Sequence, residues 1–322
     1  MKKYLKIFKI TLSILIVSGI VYFYCRQLYS NWNQIKSIHL SLNPAWLTLS
    51  VFFMVAFNLL TTYNWQFLIN IHKVDKWLNF KISFAIMNIS GLTKYLPGKV
   101  WAYAIQMYVL KDKGFKPSLV LLDNIVLLIL TLSTPALIGA ELYIFSFMPV
   151  RIELRIVATL LLLLIYLVCL FFFSNILKFW VNKLNNVFKL DIQYIPFKRK
   201  QIVFVQALAA LYYLLLILSI ACICPGINLN IGVGGALQIG IFAVLSSTIG
   251  FITLIVPGGL GVQEAAMYGF IIGKFGTVTA LILPIVIRFV QMFVDLCLGI
   301  TALIAGKEEI KRYHTSKARN PE

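Results

Sequence analysis

Six ionisable side chains interrupt long apolar stretches of this chain, and they are the residues best placed to do chemistry. A charge exposed to lipid costs at least about 2.5–3.5 kcal/mol, so such groups usually face a protein interior and pair or bind a ligand. The cations predict capture of an anion, and the carboxylates predict ion pairing, proton handling or contact with an amine. The six are Lys94, Lys99, Asp123, Glu264, Arg288 and Asp295.

Lys94 and Lys99 flank a Pro-Gly pair that we expect to separate two half-helices. The segment reads Lys94-Tyr95-Leu96-Pro97-Gly98-Lys99-Val100-Trp101. A helix N-terminus presents free N–H groups and a partial positive charge, to which both lysines add. This predicts a site for a phosphate or another anionic head group. The alternative is that both lysines extend to the cytoplasmic interface.

A second Pro-Gly break precedes Glu264. The segment reads Leu254-Ile255-Val256-Pro257-Gly258-Gly259-Leu260-Gly261-Val262-Gln263-Glu264. Its glycines permit unusual backbone angles and close helix approach, and Glu264 falls in a first helical turn, where the dipole favours a carboxylate. Two compatible roles stay open. Glu264 either caps the helix and pairs with Arg288, or it serves a proton, a cation or an amine-bearing head group.

The last predicted helix carries Arg288 and Asp295, which are seven residues apart and share one helical face. Asp295 is expected near the cytoplasmic boundary, simply solvated, and stays outside the predicted site. Asp123 is expected to pair with a lysine or arginine on another helix. The candidate substrate-binding residues are Lys94, Pro97, Gly98, Lys99, Asp123, Pro257, Gly258, Gly259, Gly261, Glu264 and Arg288.

Motifs for metal, cofactor or enzymatic chemistry are missing from the sequence. The five cysteines form no Cys-x-x-Cys pair and the three histidines no cluster, so we expect neither a disulfide framework nor a metal site. No phosphate-binding loop, His-Glu-x-x-His or Gly-x-Ser-x-Gly motif occurs. We therefore expect no catalytic residue, no cofactor and no enzyme activity.

The composition indicates where these residues are held. The chain is 60% hydrophobic and only 12% charged, whereas a soluble domain carries about 25% charged residues. Repeated apolar runs of membrane-spanning length predict an all-α polytopic membrane protein. The net charge of +18 is assigned to loops that set topology, and no nucleic acid is expected as a partner.

Six full transmembrane helices and two interrupted segments are expected. The interrupted segments, 82–110 and 236–273, are interpreted as re-entrant helical hairpins with Pro-Gly tips. An arm of about 12 residues reaches roughly 18 Å, a little over half of a hydrocarbon core of about 30 Å, so the tips should meet near the midplane. The full spans are placed near 7–25, 45–69, 119–140, 156–173, 201–224 and 278–305.

Loop charge favours this topology. With two hairpins, most of the 29 lysines and arginines lie on the cytoplasmic side together with both termini. The first hairpin then enters from inside and the second from outside, as inverted repeats require. The rival topology makes 236–256 a complete span, which places the basic tail outside, against the same rule. The expected location is the plasma membrane.

The chain is expected to form a single membrane domain, 1–322, with two halves, 1–175 and 201–322, one hairpin in each. Between them, 176–200 places apolar side chains on one helical face and lysines and asparagines largely on the other. This pattern predicts an amphipathic linker lying on the cytoplasmic membrane surface. A plain linker is the alternative.

The two broken motifs carry a resemblance to a known family. Tyr95-Leu96-Pro97-Gly98-Lys99-Val100-Trp101 and Pro257-Gly258-Gly259-Leu260-Gly261-Val262-Gln263-Glu264 resemble patterns in the transmembrane, flippase-like region of bacterial lysylphosphatidylglycerol synthases and its stand-alone relatives. Arg288 is similar to the family's arginine, and the resemblance covers roughly 80–305. Gln263, where relatives commonly carry a basic residue, and Asp123, where a Glu-Arg pair is commoner, depart from the pattern.

The resemblance implies translocation of an anionic or aminoacylated phospholipid, or a lipid-linked precursor, between leaflets. Only about 17 residues follow the last span, whereas a synthase domain needs on the order of 100, so a stand-alone transport region is expected. A homo-oligomer or a separate lipid-modifying enzyme is the expected protein partner. Two alternatives stay open: an integral-membrane enzyme acting on a lipid phosphate or glycolipid, and an accessory subunit that anchors a lipid-modifying enzyme.

Overall fold

The computed structural model of the chain describes the stretches 41–71, 77–95, 100–146, 151–188, 196–253 and 259–319, together with Tyr22, Arg26, Tyr29 and Ser30. These residues are almost entirely helical, and no strand occurs among them. Six of the helices are long and apolar enough to cross a membrane. The predicted all-α polytopic membrane fold is therefore confirmed.

Nine α-helices lie within the described stretches, and a short 3-10 turn, Thr93–Tyr95, follows the second. The helices are α1 Pro44–Ile71, α2 Phe80–Leu92, α3 Trp101–Lys111, α4 Pro117–Ser146, α5 Ile152–Phe188, α6 Arg199–Gly226, α7 Val233–Ile252, α8 Val262–Phe275 and α9 Thr277–Arg319.

The helices of spanning length are α1, α4, α5, α6, α7 and α9. Five of them match expected full spans, while the sixth expected span, 7–25, lies almost wholly outside the described residues. The sixth long helix is α7, which was expected to be the first arm, 236–256, of the second hairpin. It begins at Val233, three residues earlier than expected, and its 20 residues reach about 30 Å.

The other three hairpin arms have the expected length. α2, α3 and α8 contain 13, 11 and 14 residues, so each reaches only about 16–21 Å at 1.5 Å per residue. None of these three crosses a hydrocarbon core of about 30 Å by itself. The re-entrant course of the two interrupted segments stays a prediction, because their Pro-Gly tips lie outside the described residues.

One helix, α5, is longer than the sequence indicated. It continues without a break from Ile152 to Phe188, so the expected span 156–173 and the first half of the expected linker form one element. The reason is local packing: Leu177 and Val181 are buried in a core with Phe197 and Ile202, so this end of the helix has an apolar face to hold.

The chain divides into two compact units that interleave in sequence. One consists of Met1–Leu59, Phe84–Ile105 and Tyr212–Glu322, and the other of Leu60–Ser83 and Gln106–Leu211. In the first unit, α8 packs against α7 and α9. α9 contains Pro284 within its membrane-spanning part, where the backbone lacks one N–H donor. The predicted halves, 1–175 and 201–322, are inverted repeats rather than packing units, and they stay a prediction.

The second unit has an apolar core with polar cross-links between helices. Trp65 Nε1 donates a hydrogen bond to Asn124 Oδ1 over 3.2 Å, and Gln206 Nε2 donates to Thr134 Oγ1 over 2.7 Å. Such bonds between membrane helices stabilise their association by roughly 0.6 kcal/mol on average. Asp123 lies in this unit on α4 and is buried, with 2% of its surface exposed.

Candidate functional site

Glu264 shapes the start of α8. The backbone N–H of Gly261, with φ of +81°, donates to Glu264 Oε2 over 2.6 Å. A side chain at the third helical position that returns to the residue before the helix is half of a capping box, and it satisfies a donor that the helix cannot. The predicted capping role of Glu264 is therefore present in the structure.

Arg288 on α9 binds the first turn of α8 through two side chains. Its Nη1 donates to Gln263 Oε1 over 2.8 Å, and its Nε lies 3.5 Å from Glu264 Oε1. Arg288 and Glu264 have only 14% and 13% of their side chains exposed, so little water screens this ion pair. The predicted Glu264–Arg288 pair is confirmed, and Gln263 has a reason to be neutral, because a basic side chain there would face the guanidinium.

Close backbone contact brings the end of α7 to the start of α8. Gly259 has φ of +65°, and a Cβ on it would lie 2.7 Å from the carbonyl oxygen of Gly250. A Cβ on Gly250 would in turn lie 3.1 Å from Cβ of Gln263. Glycine is needed at 259 for both reasons, since L-residues rarely adopt this conformation and no side chain fits. The contact fixes the backbone that presents Gln263 and Glu264.

The first break makes its own contact with α9. Asp295 Oδ2 accepts a hydrogen bond from Tyr95 Oη over 2.6 Å and lies 2.6 Å from Lys94 Nζ. Both donors sit in the 3-10 turn that ends the α2 arm. The expectation that Asp295 is simply solvated is wrong: only 15% of its side chain is exposed, while 48% of Lys94 is.

α9 is the element that joins these two clusters. Asp295 lies seven residues after Arg288, about 10 Å further along the axis on the same face. Beyond it, a Cβ on Gly299 would lie 2.7 Å from Cδ1 of Leu92, and one on Gly306 would lie 3.7 Å from Ala85. α2 therefore runs antiparallel along the second half of α9, and its end delivers Lys94 and Tyr95 to Asp295.

The remaining predicted site residues divide into two groups. Five lie outside the described residues and stay a prediction. Asp123 belongs to the other compact unit, and its place in the site stays a prediction. The first group comprises Pro97, Gly98, Lys99, Pro257 and Gly258.

Three residues of the cluster were missed by sequence reasoning: Tyr95, Gln263 and Asp295. A signal existed for Asp295, because its seven-residue spacing from Arg288 already placed both on one face of the last helix. Tyr95 and Gln263 gave no such signal. Each is a neutral side chain beside a charged one, and only the fold shows which of them reaches α9.

The cluster offers recognition groups for an ionic ligand. Arg288 is a fixed positive charge, since a carboxylate and an amide hold it. Lys94 is a long, half-exposed cation whose ammonium group contacts Asp295. Asp295 is a carboxylate that can accept a hydrogen bond from a cation. Among the described residues, no group of three or more histidine, cysteine or acidic side chains is arranged to hold a metal ion.

Comparison with known families confirms the resemblance that the two motifs indicated. The family model described as the lysylphosphatidylglycerol synthase TM region matches residues 10–299, a longer part of the chain than the two motifs indicated. No curated protein matches the chain. The matched region includes both interrupted segments and the part of α9 that carries Arg288 and Asp295. This multi-pass membrane protein therefore belongs to the family of lysylphosphatidylglycerol synthase transmembrane regions.

Proposed function

We propose that this protein moves a phospholipid with an anionic or aminoacylated head group, or a lipid-linked precursor, between the leaflets of the membrane. Membership of a family of membrane proteins related to lipid modification or transport supports this proposal. The observation that carries it is the double attachment of α9, whose Arg288 and Asp295 contact residues next to both helix breaks.

The head group would bind where these breaks approach α9. Its phosphate is attracted by Lys94 and by the N–H groups at the start of the second half-helix, to which Lys99 adds charge. Glu264 and Arg288 compensate one another and keep the site close to neutral. Charged side chains at membrane depth are expensive, which favours a role in passing a polar ligand over a purely structural one.

The proposal includes the membrane course of both interrupted segments. Arms of 11, 13 and 14 residues end within the bilayer if they start at its surface, and non-helical backbone at that depth is tolerated where it lines a wet cavity. Two hairpins entering from opposite faces would expose such a cavity to each side in turn. Both termini are then cytoplasmic, in the plasma membrane, according to the loop charge.

Lipid translocation in liposomes tests this function. Purified protein is reconstituted with a trace of fluorescent phosphatidylglycerol, and dithionite added outside bleaches only the outer leaflet. Wild-type protein is expected to make the inner-leaflet label accessible, whereas Glu264→Gln/Arg288→Gln is expected to slow this at least about tenfold, because the variant removes both charges of one contact. Glu141→Gln is the matched control, since it removes a carboxylate from α4 in the other unit, where Thr159 Oγ1 donates to it.

Two results would refute the proposal. One is label that stays protected with well-folded wild-type protein in liposomes of every lipid tried. The other is equal translocation by wild type and the double variant. Mass spectrometry of the recovered lipids separates the alternative of a lipid-modifying enzyme, because a new lipid product would then appear without translocation.

A further inference from the structure

The contact between the first break and α9 is asymmetric in a way that suggests exchange. One oxygen, Asp295 Oδ2, receives both Lys94 Nζ and Tyr95 Oη, each over 2.6 Å. The tyrosine is a neutral donor fixed by two torsions, whereas the lysine is a mobile cation. Lys94 is also far more exposed than Asp295, with 48% of its side chain exposed against 15%, so the lysine is the less enclosed partner of the pair.

We propose that Asp295 is an internal competitor for Lys94, occupying this lysine until the phosphate of a lipid head group displaces it. This inference rests on the proposed function and assigns a role to a residue pair within it. In the free protein Lys94 binds Asp295. When a phosphate arrives, the ammonium group turns to it, and when the lipid leaves, Asp295 takes the lysine back.

Tyr95 lowers the free-energy cost that Asp295 bears when Lys94 leaves it. A buried carboxylate that loses its only partner carries a large desolvation cost. Asp295 keeps the hydrogen bond from Tyr95 when Lys94 departs, so the charge is not left alone. The ammonium group also lies 5.3 Å from the centre of the Tyr95 ring, within range of a cation–π interaction. The Tyr95 ring therefore attracts the Lys94 ammonium group beside Asp295, where the lysine changes partners.

Arg288 shows the opposite arrangement and is the stationary cation of the cluster. It contacts Gln263 and Glu264 together and is mostly buried. Planar guanidinium groups suit such fixed contacts, whereas a lysine ammonium is a compact charge on a flexible stem. The two cations of the cluster thus have different roles. Arg288 holds α8 against α9, and Lys94 changes partners.

Selectivity follows from competition with a carboxylate. A ligand must offer Lys94 a charge at least as attractive as that of Asp295, which a phosphate diester does and an uncharged lipid does not. Neutralising Asp295 should therefore tighten binding of an anionic lipid. Removing the Tyr95 hydroxyl should weaken binding, because Asp295 then has Lys94 as its one remaining hydrogen-bonding partner in this contact and holds it more firmly.

Calorimetric titration of the full-length protein in detergent with dioctanoyl phosphatidylglycerol tests the exchange. Asp295→Asn is expected to tighten binding about two- to fivefold, the size of effect typical of a partly exposed ion pair. Tyr95→Phe is expected to weaken it by a similar factor. Asp295→Asn made in a Lys94→Met background is expected to change nothing, since the competed cation is gone. Glu141→Gln is the control for removing a membrane carboxylate elsewhere.

The outcomes are decisive for folded variants, checked by thermal unfolding. Unchanged or weaker binding by Asp295→Asn overturns the exchange, as does equal tightening in the Lys94→Met background. Glycerol phosphate that binds as tightly as the lipid would identify a soluble phosphate as the ligand and overturn the lipid assignment. Binding does not require translocation. Protein that shows the exchange but moves no lipid refutes the proposed function alone, and a transporting protein without the exchange refutes this inference alone.

Discussion

The contact between Gly259 and the backbone of Gly250 predicts the most damaging single-methyl substitution in this site. In Gly259→Ala, the added Cβ would lie 2.7 Å from the Gly250 carbonyl oxygen and 2.9 Å from its Cα. Backbone atoms cannot rotate away as a side chain can, so α7 and α8 must separate. Their separation displaces Gln263 and Glu264, which hold Arg288.

Two costs add in this variant. An alanine with φ near +65° loses about 1–2 kcal/mol relative to a right-handed conformation, and overpacking of a close contact costs about 1–3 kcal/mol more. Gly114→Ala is the matched control, because Gly114 has φ of +82° in the left-handed turn that ends α3 and nothing lies within 4 Å of its added Cβ. It should show only the first cost, and the loss of unfolded-state entropy is common to both variants.

Unfolding of the protein in mixed micelles, titrated with a denaturing detergent and followed by tryptophan fluorescence, measures the difference. Gly259→Ala is expected to lose about 2–5 kcal/mol of unfolding free energy and Gly114→Ala about 1–2 kcal/mol. Equal losses would refute the reasoning, because the backbone contact would then contribute nothing. A gain in stability for Gly259→Ala would contradict the left-handed geometry as well.

Two further substitutions test ion pairing and interior polar contacts by the same unfolding measurement. Arg288→Gln is expected to cost about 3 kcal/mol, because Glu264 loses its cationic partner in a mostly buried place, and Glu264→Gln/Arg288→Gln should recover part of that loss; a double variant less stable than the single one would contradict this. Trp65→Phe removes the donor to buried Asn124 and should cost about 1–3 kcal/mol, whereas Trp77→Phe, at an exposed position, should cost nearly nothing.

The predictions that rest on local physics agree with the structure. Glu264 was placed as a cap by the helix dipole, and its pairing with Arg288 followed from the cost of leaving either charge in lipid. Capping depends on residues a few positions apart, and the ion pair depends on there being few opposite charges in apolar sequence. Both can therefore be predicted from one sequence. The same is true of the long apolar helices, whose length and composition alone identify them.

The predictions that failed depended on packing between distant segments. Tyr95 and Asp295 are 200 positions apart, and no periodicity links them. Asp295 was therefore judged from its distance to the helix end and wrongly thought to be solvated. The boundary at the start of the expected linker also differs: the lysines and asparagines after Leu177 indicated a separate element, whereas α5 runs on to Phe188 with Leu177 and Val181 buried.

Pro284 gives α9 a point at which the helix can bend, just before the residues that contact both interrupted segments. Arg288 and Asp295 both lie on the C-terminal side of this proline, where the helix lacks the usual hydrogen bond to the carbonyl of residue 280. Helices bend most readily at such points. The part of α9 beyond residue 284 can therefore act as a lever, and tilting it carries both attachment points in the same direction. A tilt of this part would therefore act on both interrupted segments through these contacts.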